Sequence, residues 1–300
     1  MNILVTGSAG MIGRYVVKGL IEKGHTVIGV DRVMPRAELR AKSEELRAKN
    51  GELREGSVED VVLDLSDKAA IEQLFDNKKI DRCIHLAALA HTKGGADTSW
   101  EAFKRINVDC AVNLFEACAK HNVPVLFIST VDAIGMVKGV ITLETELNPI
   151  SNYGKSKAMA EGRLEEICSS YNIYRFSPVY TEDVKRDIQK RYYLKYPDWA
   201  YLIGGGQQFE VLNVKKAVQS MVDWVDCPVD NTIHIIKDDE LLDSAKVIAE
   251  ERKEGRAKHV LRLPRWMVVA GYYCIKLVFG KSNKTYLVFK ALWPFRTAEI

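Results

Sequence analysis

Residues 2–13 read NILVTGSAGMIG. A short apolar run ends at Thr6 and gives way to glycines at 7, 10 and 13. That is the pattern of a strand turning sharply into a helix. Each glycine has a separate task if a dinucleotide lies against the turn. Gly7 permits the bend out of the strand. Gly10 lets the backbone approach a pyrophosphate. Gly13 lets helix and strand pack closely. Met11 and Ile12 stand at the N-terminus of the helix that follows, where the helix dipole and free N–H groups favour an anion. Asp31 closes the second apolar run, 18 residues past Gly13. A carboxylate at that distance binds adenosine ribose hydroxyls and repels a 2′-phosphate, which favours NAD(H). Arg32 is next to it, and a guanidinium can hold that phosphate, so NADP(H) stays open.

From this loop the pattern extends outward. NILVT (2–6), HTVIGV (25–30), VEDVVLDL (58–65), RCIHLAA (82–88) and VPVLFIST (123–130) read as strands. Helical stretches lie between and after them, near 12–23, 68–77, 100–121 and 152–171. Such alternation predicts an α/β fold, a doubly wound parallel sheet covered on both faces. RAELRAKSEELRAKN (36–50) interrupts it with good helix propensity and almost no apolar face, and is taken as a solvated helix or insertion. The 300 residues are 47% hydrophobic and 28% charged, as in a globular chain, with a net charge of +3. So small a charge gives no argument for nucleic acid as a partner. The six cysteines form no CxxC pair and no Cys/His cluster with metal-ligand spacing, so no metal site is expected. They read as single buried thiols in a reducing compartment. The first residues, MNILVTGSAG, do not read as a signal peptide, and the expectation is a cytoplasmic protein.

SNYGKSK (151–157) places Tyr153 and Lys157 four residues apart, on one face of a helix. Alone, such a pair is an ordinary feature of a helix surface. A fixed cation one turn from a phenol also favours the phenolate, which makes Tyr153 a candidate acid/base. The upstream loop and Asp31 favour the second meaning.

The spacing of the first motif is GxxGxxG, and here the chain resembles the extended short-chain dehydrogenase/reductases, in particular the NAD-dependent epimerase/dehydratase branch that acts on nucleotide sugars. Asp64 and Leu65 match the pair that contacts adenine. HLAAL (85–89), with Leu86, Ala87 and Ala88, matches the fourth-strand motif lining the cofactor. Asn107 matches a helix asparagine with a structural role. FISTVDAIG (127–135) matches the fifth-strand motif, which places the active-site hydroxyl on Thr130. RFSPVY (175–180), with Ser177 and Val179, matches the segment lying against the nicotinamide. The resemblance reaches to about residue 225. It implies a Rossmann-type domain over 1–178 and a smaller C-terminal substrate-binding lobe over 179–300, with some segments returning to the sheet. Tyr153 is then the acid/base, Lys157 its modulator and ribose ligand, and Thr130 the hydrogen-bond partner of the reacting oxygen. It further implies a homodimer formed by the long helices.

The match departs from the pattern toward the substrate. The usual diphosphate-binding arginine is replaced by Phe209, aligned from Val214. VYGP is VYTE (179–182), and the tyrosine expected before Gly135 is Ile134. Replacement cations for a diphosphate stand in VKRDIQKRYYLKYP (184–197), with Arg186 and Arg191 foremost. The bland alternative is a solvated basic helix. His91, just past the fourth strand, and Gln208 are further substrate candidates. The expected activity is a nucleotide-sugar epimerase, acting at C4 of a UDP-sugar. The alternatives are a nucleotide 4-keto-sugar reductase, a 3β-hydroxysteroid dehydrogenase-like enzyme, and a non-enzymatic protein that kept the dinucleotide site. LPRWMVVAGYYCIKLVFG (263–280) is too short and too charged to span a membrane. Its default is packing on the lobe, with interfacial contact at a bilayer as the alternative.

Overall fold

The computed structural model describes residues 1–33, 56–90, 99–181 and 186–298. The stretch 36–50 and His91 therefore lie outside the described residues, as does the side chain of Arg186. Seven strands form the central sheet: β1 (Asn2–Thr6), β2 (Thr26–Asp31), β3 (Val58–Val62), β4 (Arg82–His85), β5 (Val125–Thr130), β6 (Tyr171–Phe176) and β7 (Ile233–Ile236). Their order is β3-β2-β1-β4-β5-β6-β7. The pairs β1–β2, β2–β3, β1–β4 and β4–β5 are parallel. Ile3, Leu4 and Val5 are wholly buried, as expected of a parallel strand covered on both faces. The order reverses between β1 and β4, and ligands of doubly wound sheets bind beyond the carboxyl ends of the strands at that point.

The expected elements are present with shifted ends. β3 stops at Val62 rather than residue 65, because it is an edge strand whose register with β2 ends at Asp31 opposite Val62. The helix expected over 100–121 is broken in two. Ser99 caps a first piece, Trp100–Lys104, and a wide π-turn over Arg105–Asp109 leads into α3 (Cys110–Lys120). The turn carries Asn107, whose side chain accepts from Leu89 N at 2.7 Å and donates to Leu89 O at 3.0 Å and Ser156 Oγ at 2.9 Å. Single π-turns inside α-helices are frequent at functional sites. α1 (Gly13–Glu22) and α2 (Lys68–Asn77) lie close to expectation. α4 (Asn152–Ile167) ends four residues early, and β6 begins at Tyr171.

Two compact units share the chain. The first is Met1–Ser129, Ser156–Tyr174 and Val218–His234, and the second is Thr130–Lys155, Arg175–Ala217 and Ile235–Ile300. The first holds most of the sheet and one large core, in which Leu114, Phe115, Phe127 and Leu164 are buried. Among the described residues, the second has two smaller cores. One joins Val131, Ile134 and Ile203 to Tyr272, Tyr286 and Phe289 from two late helices, α6 (Arg265–Phe279) and α7 (Asn283–Leu292). The other centres on Tyr192, Phe209 and Ile248. Cys83, Cys110, Cys118 and Cys168 are buried thiols as expected. Cys227 and Cys274 are exposed, against the expectation that all six are buried.

Candidate active site

The glycine turn, the end of β2 and the segment after β4 meet in the first unit. Gly7 has φ +72°, a conformation that side-chain-bearing residues avoid, and donates its N–H to Val30 O at 2.8 Å. A Cβ on Gly7 would lie 2.8 Å from Ala87 N and 3.1 Å from the Leu86 carbonyl carbon, so the turn and the Leu86–Ala87 backbone touch directly. A Cβ on Gly13 would lie 2.1 Å from Gly7 O, inside any real contact distance. Gly10 is exposed, and a Cβ there would meet only Gly7 O at 3.0 Å. Asp31 accepts from Ala9 N at 3.1 Å and so braces the turn from below. Asp64 accepts from Ser66 N at 2.9 Å. That bond, the Ser66 hydroxyl, and then Arg32 and Arg105 hold the Asp64 carboxyl below its ordinary range. Leu65 is buried.

These residues fit a dinucleotide pyrophosphate. Ile12, at the N-cap of α1, makes no side-chain cap. Arg14 N donates to Gly10 O at 3.3 Å and Tyr15 N to Ile12 O at 3.0 Å, so the N–H groups of Met11, Ile12 and Gly13 are the ones left at the helix start for an outside acceptor. The buried Ser8 hydroxyl has no hydrogen-bond partner among the described residues. Space beside Gly10 is open apart from the turn's own carbonyl.

The first unit also buries several polar side chains, among them Thr6, His85, Ser129, Lys157 and Glu161. The Lys157 ammonium donates to Ile128 O at 2.7 Å and sits 4.4 Å from the centroid of the Phe127 ring. Burial pushes its pKa down to about 7, against the pull of Glu161. Ser129 donates to Glu161. His85 stacks on Phe127 at 5.7 Å and shares a 2.6 Å hydrogen bond with Thr6 through Nδ1. Burial, then the Lys157 charge, lowers its pKa to about 3 from an ordinary 6.5. The unfolded chain therefore binds this proton first. The part of the stability that depends on His85 is fully present above pH 6.5 and is lost as pH falls toward 3. At pH 4 the loss amounts to about 3 kcal/mol. Urea denaturation at pH 7 and pH 4 should show a His85→Gln variant losing correspondingly less than the wild type.

In the second unit, Thr130 ends β5 and its Oγ1 accepts from Asp132 N at 3.2 Å. That leaves the Thr130 hydroxyl proton free to point at another acceptor. Ser151 caps α4 by accepting from Gly154 N at 2.9 Å. A Cβ on Gly154 would lie 2.4 Å from Asp132 O, so only glycine lets the start of α4 approach the Thr130–Asp132 turn this closely. Tyr153 is half-buried beside it. Tyr153 and Lys157 stand one turn apart on a single helix, as the sequence predicts. The sequence argument has Lys157 lowering the phenol pKa. In this chain burial first, and the Asp132 carboxylate second, push it up instead.

Sequence reasoning missed two residues around Asp132. Tyr286 donates to Asp132 Oδ1 at 3.1 Å, and Lys290 to the same oxygen at 3.2 Å. Both come from α7, four residues apart, and burial lowers the Lys290 pKa while Asp132 raises it. A second Tyr-x-x-x-Lys spacing at 286–290 was the available signal, hidden in a run that reads as apolar filler. Arg191 lies 5.4 Å from the centroid of the Phe209 ring. A cation thus stands over the residue that replaces the expected arginine. Phe209 itself is buried. Gln208 is exposed, its strand partner being Asp243. Ser177 is buried with no partner for its hydroxyl among the described residues, and the half-buried Val179 pairs with Leu212.

The model of the NAD dependent epimerase/dehydratase family matches residues 3–223. YtcB of Bacillus subtilis (strain 168), an uncharacterized UDP-glucose epimerase, is 27% identical over 198 residues, covering 63% of this chain. D-erythronate dehydrogenase of Cupriavidus necator is 34% identical over 164 residues, covering 54% of this chain. The chain spans only 60% and 48% of the lengths of these two relatives. In fold, it resembles the UDP-glucuronic acid 4-epimerase of Bacillus cereus, solved in complex with NAD. The TM-score is 0.68 at 19% identity, covering 98% of this chain and 97% of the other. The matched motifs, their order and the sheet they lie on agree: the chain belongs to the NAD dependent epimerase/dehydratase family.

Proposed function

We propose that the chain is an NAD-dependent nucleotide-sugar epimerase, acting at C4 of a UDP-sugar with Tyr153 as acid/base. The observation that carries this reading is the Tyr153/Lys157 pair on one helix, with Lys157 buried and anchored on Ile128 O. The UDP-glucose epimerase relative and the NAD-bound epimerase neighbour support it. Gly7, Gly10, Met11, Ile12 and Gly13 would hold the pyrophosphate, Asp31 the adenosine ribose, and Asp64 and Leu65 the adenine. When bound there, NAD supplies the oxidising and reducing equivalents for a carbinol carbon. As the phenolate, Tyr153 takes the carbinol proton, and as the resulting phenol it returns that proton to the same oxygen. Thr130 Oγ1 orients that oxygen by a hydrogen bond. Lys157 favours the phenolate and opposes the upward push of burial. Arg191 is the cation placed to meet a diphosphate.

The Asp132 group bears on the same proton. Asp132 disfavours the phenolate at Tyr153, and Lys290 offsets that carboxylate. Removing the cation in Lys290→Met leaves Asp132 uncompensated, so the rising limb of the kcat–pH profile moves to higher pH, by roughly half a unit or more at protein-like dielectric. The matching Tyr286→Phe variant keeps the limb where it is.

A 4-keto-sugar reductase is the second reading, favoured by the dehydrogenase relative and by Phe209 in the arginine position. Incubation of the purified chain with UDP-glucose separates the two. An epimerase forms UDP-galactose without net cofactor use. A reductase is idle on UDP-glucose and consumes NADH or NADPH stoichiometrically with a UDP-4-keto-sugar.

A further inference from the structure

Charge is divided unequally along this chain. Residues 255–298 carry nine Lys and Arg and no Asp or Glu, which leaves the rest of the chain at a net −6. This segment also lies beyond residue 223, where the family match ends. It contains α6, a helix with apolar residues on opposite sides. One side buries Tyr272 against the core that holds Tyr286 and Phe289. The other leaves Trp266, Ala270, Tyr273 and Leu277 exposed, at the i, i+4, i+7, i+11 spacing of one stripe. Trp266 is 73%, Leu277 88% and the adjoining Val278 72% exposed.

An exposed apolar stripe of this size needs a partner. Its flanks give the chemistry of that partner. Lys276 on the helix, with Lys281 and Lys284 just beyond its end, is exposed. A cavity of about 220 Å³ opens beside the stripe, and Lys138, Lys276 and Lys281 line it together with Tyr273. Aromatic and aliphatic groups flanked by lysines suit the boundary between acyl chains and anionic headgroups. A basic cavity at that boundary suits a lipid phosphate. Among the described residues no helix is long and apolar enough to cross a membrane, so the contact lies in the plane of the surface.

We propose that α6 and the start of α7 form an interfacial docking surface for an anionic lipid bilayer, with the Leu277–Phe279 end inserted and the Lys138/Lys276/Lys281 cavity receiving a headgroup phosphate. The surface stands on residues apart from the candidate active site, so its test is independent of the epimerase reading.

The test is co-sedimentation of the full chain with sucrose-loaded vesicles, either pure phosphatidylcholine or one quarter phosphatidylglycerol. The expected result is pelleting with the anionic vesicles only, weakened by added salt. A Leu277→Glu/Val278→Glu variant should lower the partition coefficient by at least about tenfold while its melting temperature stays at the wild-type value, since both side chains face solvent. Lys276→Glu/Lys281→Glu should weaken anionic binding by a similar factor. The proposal is overturned if the chain stays in the supernatant with anionic vesicles, or if both variants pellet like wild type. It is equally overturned if sedimentation velocity shows a dimer that Leu277→Glu/Val278→Glu splits, because a second copy then covers the stripe.

Discussion

Tyr153→Phe lowers turnover by about 10²–10⁴-fold, the range a positioned acid/base contributes, while NAD affinity stays within a few-fold of wild type. The phenylalanine keeps the ring and its packing and removes only the hydroxyl. Thr130 Oγ1 is already engaged with the Asp132 N–H, and a neutral aliphatic alcohol is a poor base at pH 7. The physical case rests on the tension found around the phenol. Burial and Asp132 push the Tyr153 pKa up, and Lys157, itself held down to about 7, is the cation one turn away. Steady-state rates on the accepted sugar and an NAD titration by calorimetry check both halves. Near-normal turnover would remove Tyr153 from the chemistry.

The second large effect separates two glycines of one motif. Gly13→Ala places a carbon 2.1 Å from Gly7 O, so the backbone itself must move. The cost is about 3 kcal/mol or more, seen as a large drop in melting temperature with or without NAD. Gly10→Ala meets only Gly7 O, at 3.0 Å, a tight contact that asks for a few tenths of an ångström rather than a rebuilt backbone. Its melting temperature without ligand should stay near wild type, while NAD affinity falls at least about tenfold because the added methyl occupies the pyrophosphate's approach. A Gly10→Ala chain that binds NAD normally would mean that the turn serves packing alone.

Much of this fold is written in short-range pattern. The alternation of apolar runs and helical stretches, the turn at 6–13 and the acid at 31 predict the doubly wound sheet and its crevice, because strand burial and the strand–helix turn are local matters. Tyr153 and Lys157 are legible for the same reason, since four residues of helix fix their relation. Where the sequence reading stops short, the cause is tertiary. Asn107 sits in the π-turn that interrupts the long helix and bonds the Leu89 backbone, a contact 18 residues away in sequence. The Tyr-x-x-x-Lys spacing marks Tyr286 and Lys290 as a pair, but their reach to Asp132 across more than 150 residues is a tertiary contact. The upward push on the Tyr153 pKa comes from burial, and burial is a property of the assembled unit. The glycine at 154 gains its meaning only beside the Asp132 carbonyl.

The most direct test of the central claim is a crystal structure of the wild-type chain grown in saturating NAD. The account predicts the pyrophosphate against Gly10–Gly13 at the start of α1, the adenosine ribose on Asp31, and the nicotinamide ring within reach of the Tyr153 hydroxyl. A well-ordered glycine turn with nothing bound against it, or a bound NAD whose ring lies away from that hydroxyl, would contradict it.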